Sequence, residues 1–149
     1  MDRADLTLGP LSEQDHAFYG LVWAGTTLAA RVDRELARVH GLPLSWFEVM
    51  LWLNRQPGPV AASDLGAKTM LSRSQVSRVV DALAGRGLVS RAPSASDARS
   101  VQIELTEQGR ALFAEADATR RAVLAPVFTE RLDRADIEAL ERVWRKLKA

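Results

Sequence analysis

Apolar residues recur at helical spacing from Phe18 to Val39. Phe18, Leu21, Val22, Leu28, Val32, Leu36 and Val39 trace one stripe, and Tyr19, Trp23, Thr26 and Ala30 form a second beside it. This pattern predicts a long helix, capped by Ser12 and running through His40. Having two apolar sides, it packs against two bodies. Gly41 and Pro43 stop it. Ser45-Trp46-Phe47-Glu48 has the spacing of a capping box, with Leu44 and Val49 as its staple, for a second helix ending near Arg55. Val60 starts a very short strand. Residues 61–69 form a short helix with Leu65 inward and a poor cap in Ala61. After a turn at Met70-Leu71-Ser72, Ser72-Arg73-Ser74-Gln75 repeats the capping-box spacing. It opens a helix to about Ala84, in which Val76, Val79, Val80 and Leu83 share one buried face.

The period then changes from helical to alternating. Leu88 to Arg91 leads into a polar tip, Ala92 to Arg99. Val101, Ile103 and Leu105 then alternate with Gln102 and Glu104, which predicts a hairpin with one packed face. Thr106 caps a fifth helix that reaches Pro126 and kinks there. A last helix begins at Asp133, with Ile137, Leu140, Val143, Trp144 and Leu147 on one side. The expected fold class is mainly α with a small β-hairpin wing: a winged helix-turn-helix over residues 42–105, and a helical dimerisation region formed by residues 1–41 and 106–149.

Composition narrows the chemistry. The chain of 149 residues has no cysteine and two histidines, His16 and His40. Thiol redox sensing, disulfides and cysteine-ligated metal are excluded, and no cofactor or metal is expected. No nucleophile–base pair, phosphate loop or metal spacing points to an enzyme. No apolar run is long enough for a membrane span, and the first residues lack a secretion signal, so a cytoplasmic location is expected. The net charge is only +1. It is uneven, however: residues 61–100 carry six basic and three acidic side chains, while residues 1–60 are net negative. The basic segment is the one with the helix-turn-helix pattern, where local charge meets phosphate.

The helix from Arg73 presents Ser74, Arg78 and Asp81 opposite its valines, flanked by Gln75 and Ser77. Small polar side chains let a helix sit deep in the major groove, where Gln pairs with adenine and Arg with guanine. The helix N-terminus offers unbonded N–H groups to phosphate. Arg99 at the hairpin tip suits a narrow minor groove, held extended by Asp97. Taken singly, each of these features also reads as ordinary solvated surface; their order and spacing favour double-stranded DNA.

The run Leu65-Gly66-Ala67, Leu71-Ser72-Arg73-Ser74-Gln75-Val76-Ser77-Arg78-Val79-Val80-Asp81-Ala82-Leu83, Gly87-Leu88-Val89-Ser90-Arg91, Ser96-Asp97-Ala98-Arg99-Ser100-Val101 and Leu105-Thr106-Glu107-Gln108-Gly109 resembles the MarR family of bacterial transcriptional regulators. The resemblance covers nearly the whole chain. It implies a homodimer on a pseudo-palindromic operator, usually as a repressor. It also implies DNA contacts at Ser72, Arg73, Ser74, Gln75, Ser77 and Arg78, with a wing arginine at Arg99 positioned by Asp97. Gly66 stands where the family often has Ala, and Ala98 where a second basic wing residue is common; the latter reduces what the wing supplies.

The dimer also has an argument of its own. Leu6, Leu8 and Leu11, with Val123, Leu124, Val127, Phe128 and the last helix's face, are more apolar surface than a small winged domain covers alone. Trp23, Thr27, Arg31, Trp46 and Met50 either belong to the core or line a cleft between dimer and reader. In such a cleft Arg31 would meet a small anionic aromatic effector, the ligand class the resemblance implies. A winged-helix protein-interaction module without direct DNA binding is the competing function.

Overall fold

The computed structural model describes residues 11–96 and 99–148. The first helix, α1, runs Glu13–His40. Ser12 caps it, its Oγ accepting from the Asp15 N–H at 3.1 Å. Gly41 ends it in the left-handed conformation, φ 60°, its N–H donating back to the carbonyls of the last turn. Only Val32 and Leu36 of α1 are buried; the aromatic first half stands clear of the rest of the protomer.

α2 spans Leu44–Arg55 and starts two residues earlier than a box with Ser45 as its cap predicts. Its N-cap is Pro43, which makes no side-chain cap bond. The cap comes from α1 instead: Asp33 Oδ1 accepts from the Leu44 N–H at 2.8 Å. A neighbouring helix therefore satisfies one of the N–H groups that α2 leaves open. β1, Val60–Ala61, precedes α3, Ala62–Lys68, whose N-cap Ala61 has no side-chain cap bond. α4 covers Arg73–Gly85 and closes through Arg86 and Gly87, the latter at φ 71°.

β2, Val89–Pro93, and β3, Val101–Leu105, pair antiparallel from Val89 opposite Leu105 to Pro93 opposite Val101. β1 adds to the outer edge of β3, Val60 facing Ile103, so the sheet order is β1-β3-β2. The hairpin is thus the wing, tied along β3 to the strand that leads into α3.

α5, Glu107–Leu124, is capped by Thr106, whose Oγ1 accepts from the Gly109 N–H at 3.0 Å. The same hydroxyl donates to the Gly87 carbonyl, and the Thr106 N–H donates to the Leu88 carbonyl. The first turn of α5 thereby presses on the start of β2, and Gly109 is the contact point. A Cβ there would lie 2.0 Å from the Leu88 carbonyl oxygen. At Pro126 the helix does not simply bend. It widens into a π-helical turn, Ala125–Thr129, with the Glu130 N–H reaching the Ala125 carbonyl. α6 then runs Arg134–Lys148, opened by Asp133 and Asp136, each carboxylate accepting the other's backbone N–H.

One core joins these parts. Leu36 and Leu42 from the first corner, Phe47, Val49 and Met50 from α2, Leu65, Leu83, Ile103 and Leu105 from the winged portion, and Phe113 and Ala116 from α5 pack together. The Phe47 and Phe113 rings stack with centroids 5.4 Å apart. α6 contributes no buried residue, and its apolar side, Ile137, Leu140, Val143, Trp144 and Leu147, is exposed.

Candidate nucleic-acid interface

The buried stripe of α4 decides what its other side offers. Val76, Val79, Val80 and Leu83 are in the core, so Arg73, Ser74, Ser77, Arg78 and Asp81 face outward, as the spacing predicts. Among the described residues, neither Arg73 nor Arg78 has a carboxylate partner. Two guanidinium groups and two small hydroxyls therefore share a helix face with the positive N-terminal end of the helix dipole.

That end is tightly built. The Ser72 Oγ accepts from the Gln75 N–H at 3.2 Å, and the Gln75 Oε1 accepts from the Ser72 N–H at 2.8 Å, a complete capping box. Ser72 and Ser74 hydroxyls lie 3.2 Å apart. This arrangement qualifies the expected role of Gln75. A bidentate adenine contact needs both amide atoms directed outward, whereas here the carbonyl half is folded back to hold the helix start. Gln75 is first a capping residue.

The hairpin stands beside α4. A cleft of about 400 Å³ separates them, with Arg73, Ser77 and Asp81 on the helix side and Arg91, Val101 and Ile103 on the hairpin side. Arg91 of β2 crosses its rim, donating from Nη1 to Asp81 Oδ1. Sequence reading gave Asp81 only a place on the outer face and gave Arg91 no role. The pair joins residues on two different elements, and a charged side chain in the inward phase of β2, in step with Val89 and opposite Ile103, is the one signal for it. At the hairpin tip the Ser94 N–H donates to the Ser100 carbonyl at 2.8 Å. Arg99 is exposed beside it. Asp97, expected to orient Arg99, lies outside the described residues.

The candidate effector set does not assemble within one protomer. Met50 is fully buried, so it is core and has no open face for a ligand. Trp46 packs at the other end of α1 from Trp23. The Arg86 guanidinium lies 5.8 Å from the Trp46 ring centroid and donates to the Gly41 carbonyl at 3.1 Å. Trp23 precedes Gly41 by eighteen residues, about 27 Å along a helix rising 1.5 Å per residue. Trp23, Thr27 and Arg31 remain together along α1, with Trp23 half exposed and Arg31 exposed. Trp46 instead belongs to a joint that ties the end of α4 to the α1–α2 corner, a contact between distant segments that no local pattern signals. Among the described residues no helix is long and apolar enough to cross a membrane.

Residues 40–100 match the family model described as MarR family. The HTH-type transcriptional repressor Rv2887 of Mycobacterium tuberculosis is 31% identical over 129 residues, 87% of this chain and 91% of that protein. Sco3205 of Streptomyces coelicolor, solved in complex with DNA, superposes with a TM-score of 0.86 at 22% identity, covering 95% of this chain and 91% of that one. CouR of Rhodococcus jostii RHA1, solved with p-coumaroyl-CoA, gives 0.80 at 26% identity over 91% and 94% of the two chains. CouR on a 23-mer DNA duplex gives 0.78 at 28% over 95% and 100%.

Proposed function

Because the chain belongs to the MarR family of transcriptional regulators, we propose that it is a homodimeric, sequence-specific DNA-binding repressor relieved by a small ligand. The observation that carries this reading is the outer face of α4. Arg73, Ser74, Ser77 and Arg78 are displayed on a helix whose opposite side is locked into the core and whose N-terminus is capped. In the major groove these side chains meet base edges and phosphates, Ser72 and Gln75 hold the helix start against the backbone, and Arg99 of the wing enters the neighbouring minor groove. Residues 42–105 are the reader. Nothing in this function calls for a catalytic step, and its place is the cytoplasm, with the DNA.

The terminal helices form the dimer. The exposed aromatic half of α1 and the apolar side of α6 are covered by a second copy, which sets two α4 helices about 34 Å apart for a pseudo-palindromic operator. The relatives solved with DNA and with an acyl-CoA ligand support the same pairing of activities. A small anionic aromatic effector acts along α1 at Trp23, Thr27 and Arg31, stabilising a dimer whose readers no longer match the groove spacing. Linkage then requires operator DNA to weaken effector binding by the same factor.

Fluorescence anisotropy on a duplex enriched from a randomised pool by the full-length protein tests the reading. Arg78→Ala should cost about 1–3 kcal/mol on that duplex and relax base preference within each half-site. Wild-type protein that enriches no sequence would leave the protein-interaction module as the better account.

A further inference from the structure

The Asp81–Arg91 pair is unusual in what it joins. Asp81 stands on the outer face of α4, and Arg91 on the side of β2 that faces α4, opposite Ile103. Beneath them the helix and hairpin share the core, and beside the pair the cleft opens between the two elements, so the pair stands at the edge of an opening. Both side chains are about half exposed, 63% for Asp81 and 46% for Arg91. A pair so exposed adds little to folding stability. The carboxylate also sits on the face that carries Arg78 and Ser77, where a negative charge opposes phosphate.

From this combination we infer that Asp81 and Arg91 are positioning residues, a strut that sets the angle between the wing and α4. The inference rests on the DNA-binding reading. A helix in the major groove and a hairpin tip in the adjacent minor groove have to be held at one mutual angle. Apolar packing of Val89, Ile103 and Leu105 and the pairing of β1 with Ile103 and Gln102 hold the hairpin to the reader. On the α4 side this ion pair adds a tie at mid-strand, whose planar guanidinium restricts direction as well as distance. Arg91 is engaged by Asp81 and does not neutralise a phosphate. Asp81 offsets its own repulsion of the DNA by keeping Arg99 in register.

The sign of one substitution separates this role from simple electrostatics. Asp81→Asn removes a negative charge from the DNA-facing side, so charge alone predicts tighter binding and a loose wing predicts weaker binding. With the full-length dimer and the duplex it enriches, Asp81→Asn should weaken binding about tenfold. Hydroxyl-radical protection where the wing lies should fade, while protection under α4 persists. Arg91→Gln should do the same without lowering the salt slope by a full phosphate contact. The exchanged pair, Asp81→Arg with Arg91→Asp, should recover most of the affinity and the wing protection. Adding Arg99→Ala to Asp81→Asn should cost less than adding it to the wild type. Melting temperatures should stay within about 2 °C, because the pair is exposed. Tighter binding by Asp81→Asn, or a salt slope reduced by about one in Arg91→Gln, overturns the strut. Wild-type protein that binds no duplex overturns the DNA-binding reading itself, a result distinct from either of those.

Discussion

Gly109→Ala should damage this protein although alanine is the better helix former. In the interior of an exposed helix the change gains about 1 kcal/mol. At position 109 the new methyl would sit 2.0 Å from the Leu88 carbonyl oxygen, 3.0 Å from its carbonyl carbon and 3.2 Å from a Leu105 methyl. The obstacle is backbone, so no rotamer change relieves it. The start of α5 has to retreat by about 1 Å, and overpacking of that kind costs about 1–3 kcal/mol. The retreat also stretches the Thr106 N–H bond to Leu88, 3.1 Å, and the Thr106 hydroxyl bond to Gly87, 2.7 Å. Weakening these adds about 1 kcal/mol for each bond lost. The net loss is about 2–3 kcal/mol, which for a chain of this size lowers the melting temperature by about 5–10 °C. Differential scanning calorimetry at fixed protein concentration measures it. Gly66→Ala is the control, since a Cβ there meets nothing within 4 Å and should leave stability equal or higher. A Gly109→Ala protein that melts with or above the wild type would refute the close approach of α5 to β2.

Substitutions at three further positions test separate parts of the structure. Asp33→Ala should cost about 1 kcal/mol by removing the cap on the Leu44 N–H, read by chemical denaturation, and an unchanged midpoint would mean that water serves as well. Gln75→Glu keeps a capping partner at the same position but brings a negative charge to the DNA end of α4. It should melt like the wild type yet bind the enriched duplex at least about tenfold more weakly, whereas Gln75→Ala should lose about 1 kcal/mol of stability. Burial pushes the Glu48 carboxyl above its usual range, so the fold favours its protonated form. That stability is present at acid pH and is lost as pH rises through the raised value. Glu48→Gln should therefore melt above the wild type near neutral pH, the gap closing below the ordinary carboxylate range of about 4, and a gap independent of pH would contradict the assignment.

Much of the fold was legible because burial imposes a period. The valine stripe of α4, the alternation in β3 and the caps at Ser12, Ser72 and Thr106 are local signals, and each element formed where they place it. Contacts between distant segments left no such trace. The Ser45–Glu48 spacing imitates a capping box, but α2 is capped by Asp33, eleven residues earlier on another helix. Met50 follows Phe47 by three residues and precedes Leu53 by three, so its place in the core is readable from the spacing. The grip of Arg86 on Trp46 and Gly41 depends on how α1 crosses the reader. The outer residues of α4 were found correctly as a face. The fold-back of Gln75 is the capping box that the Ser72–Gln75 spacing predicts, whereas the tie from Asp81 to Arg91 needs the neighbouring sheet in place.

The bare α6 has a genetic consequence. A helix of fifteen residues that buries none of them within its own protomer commits the chain to a partner, and the partner need not be an identical copy. A variant impaired only in α4 keeps intact terminal helices and still pairs with wild-type chains. With equal expression of the two, about a quarter of dimers carry two working readers if pairing is random. Such alleles should behave as dominant in a strain that also carries the wild type. Alleles that destroy the apolar side of α6, such as Leu140→Glu, cannot enter mixed dimers and should be recessive.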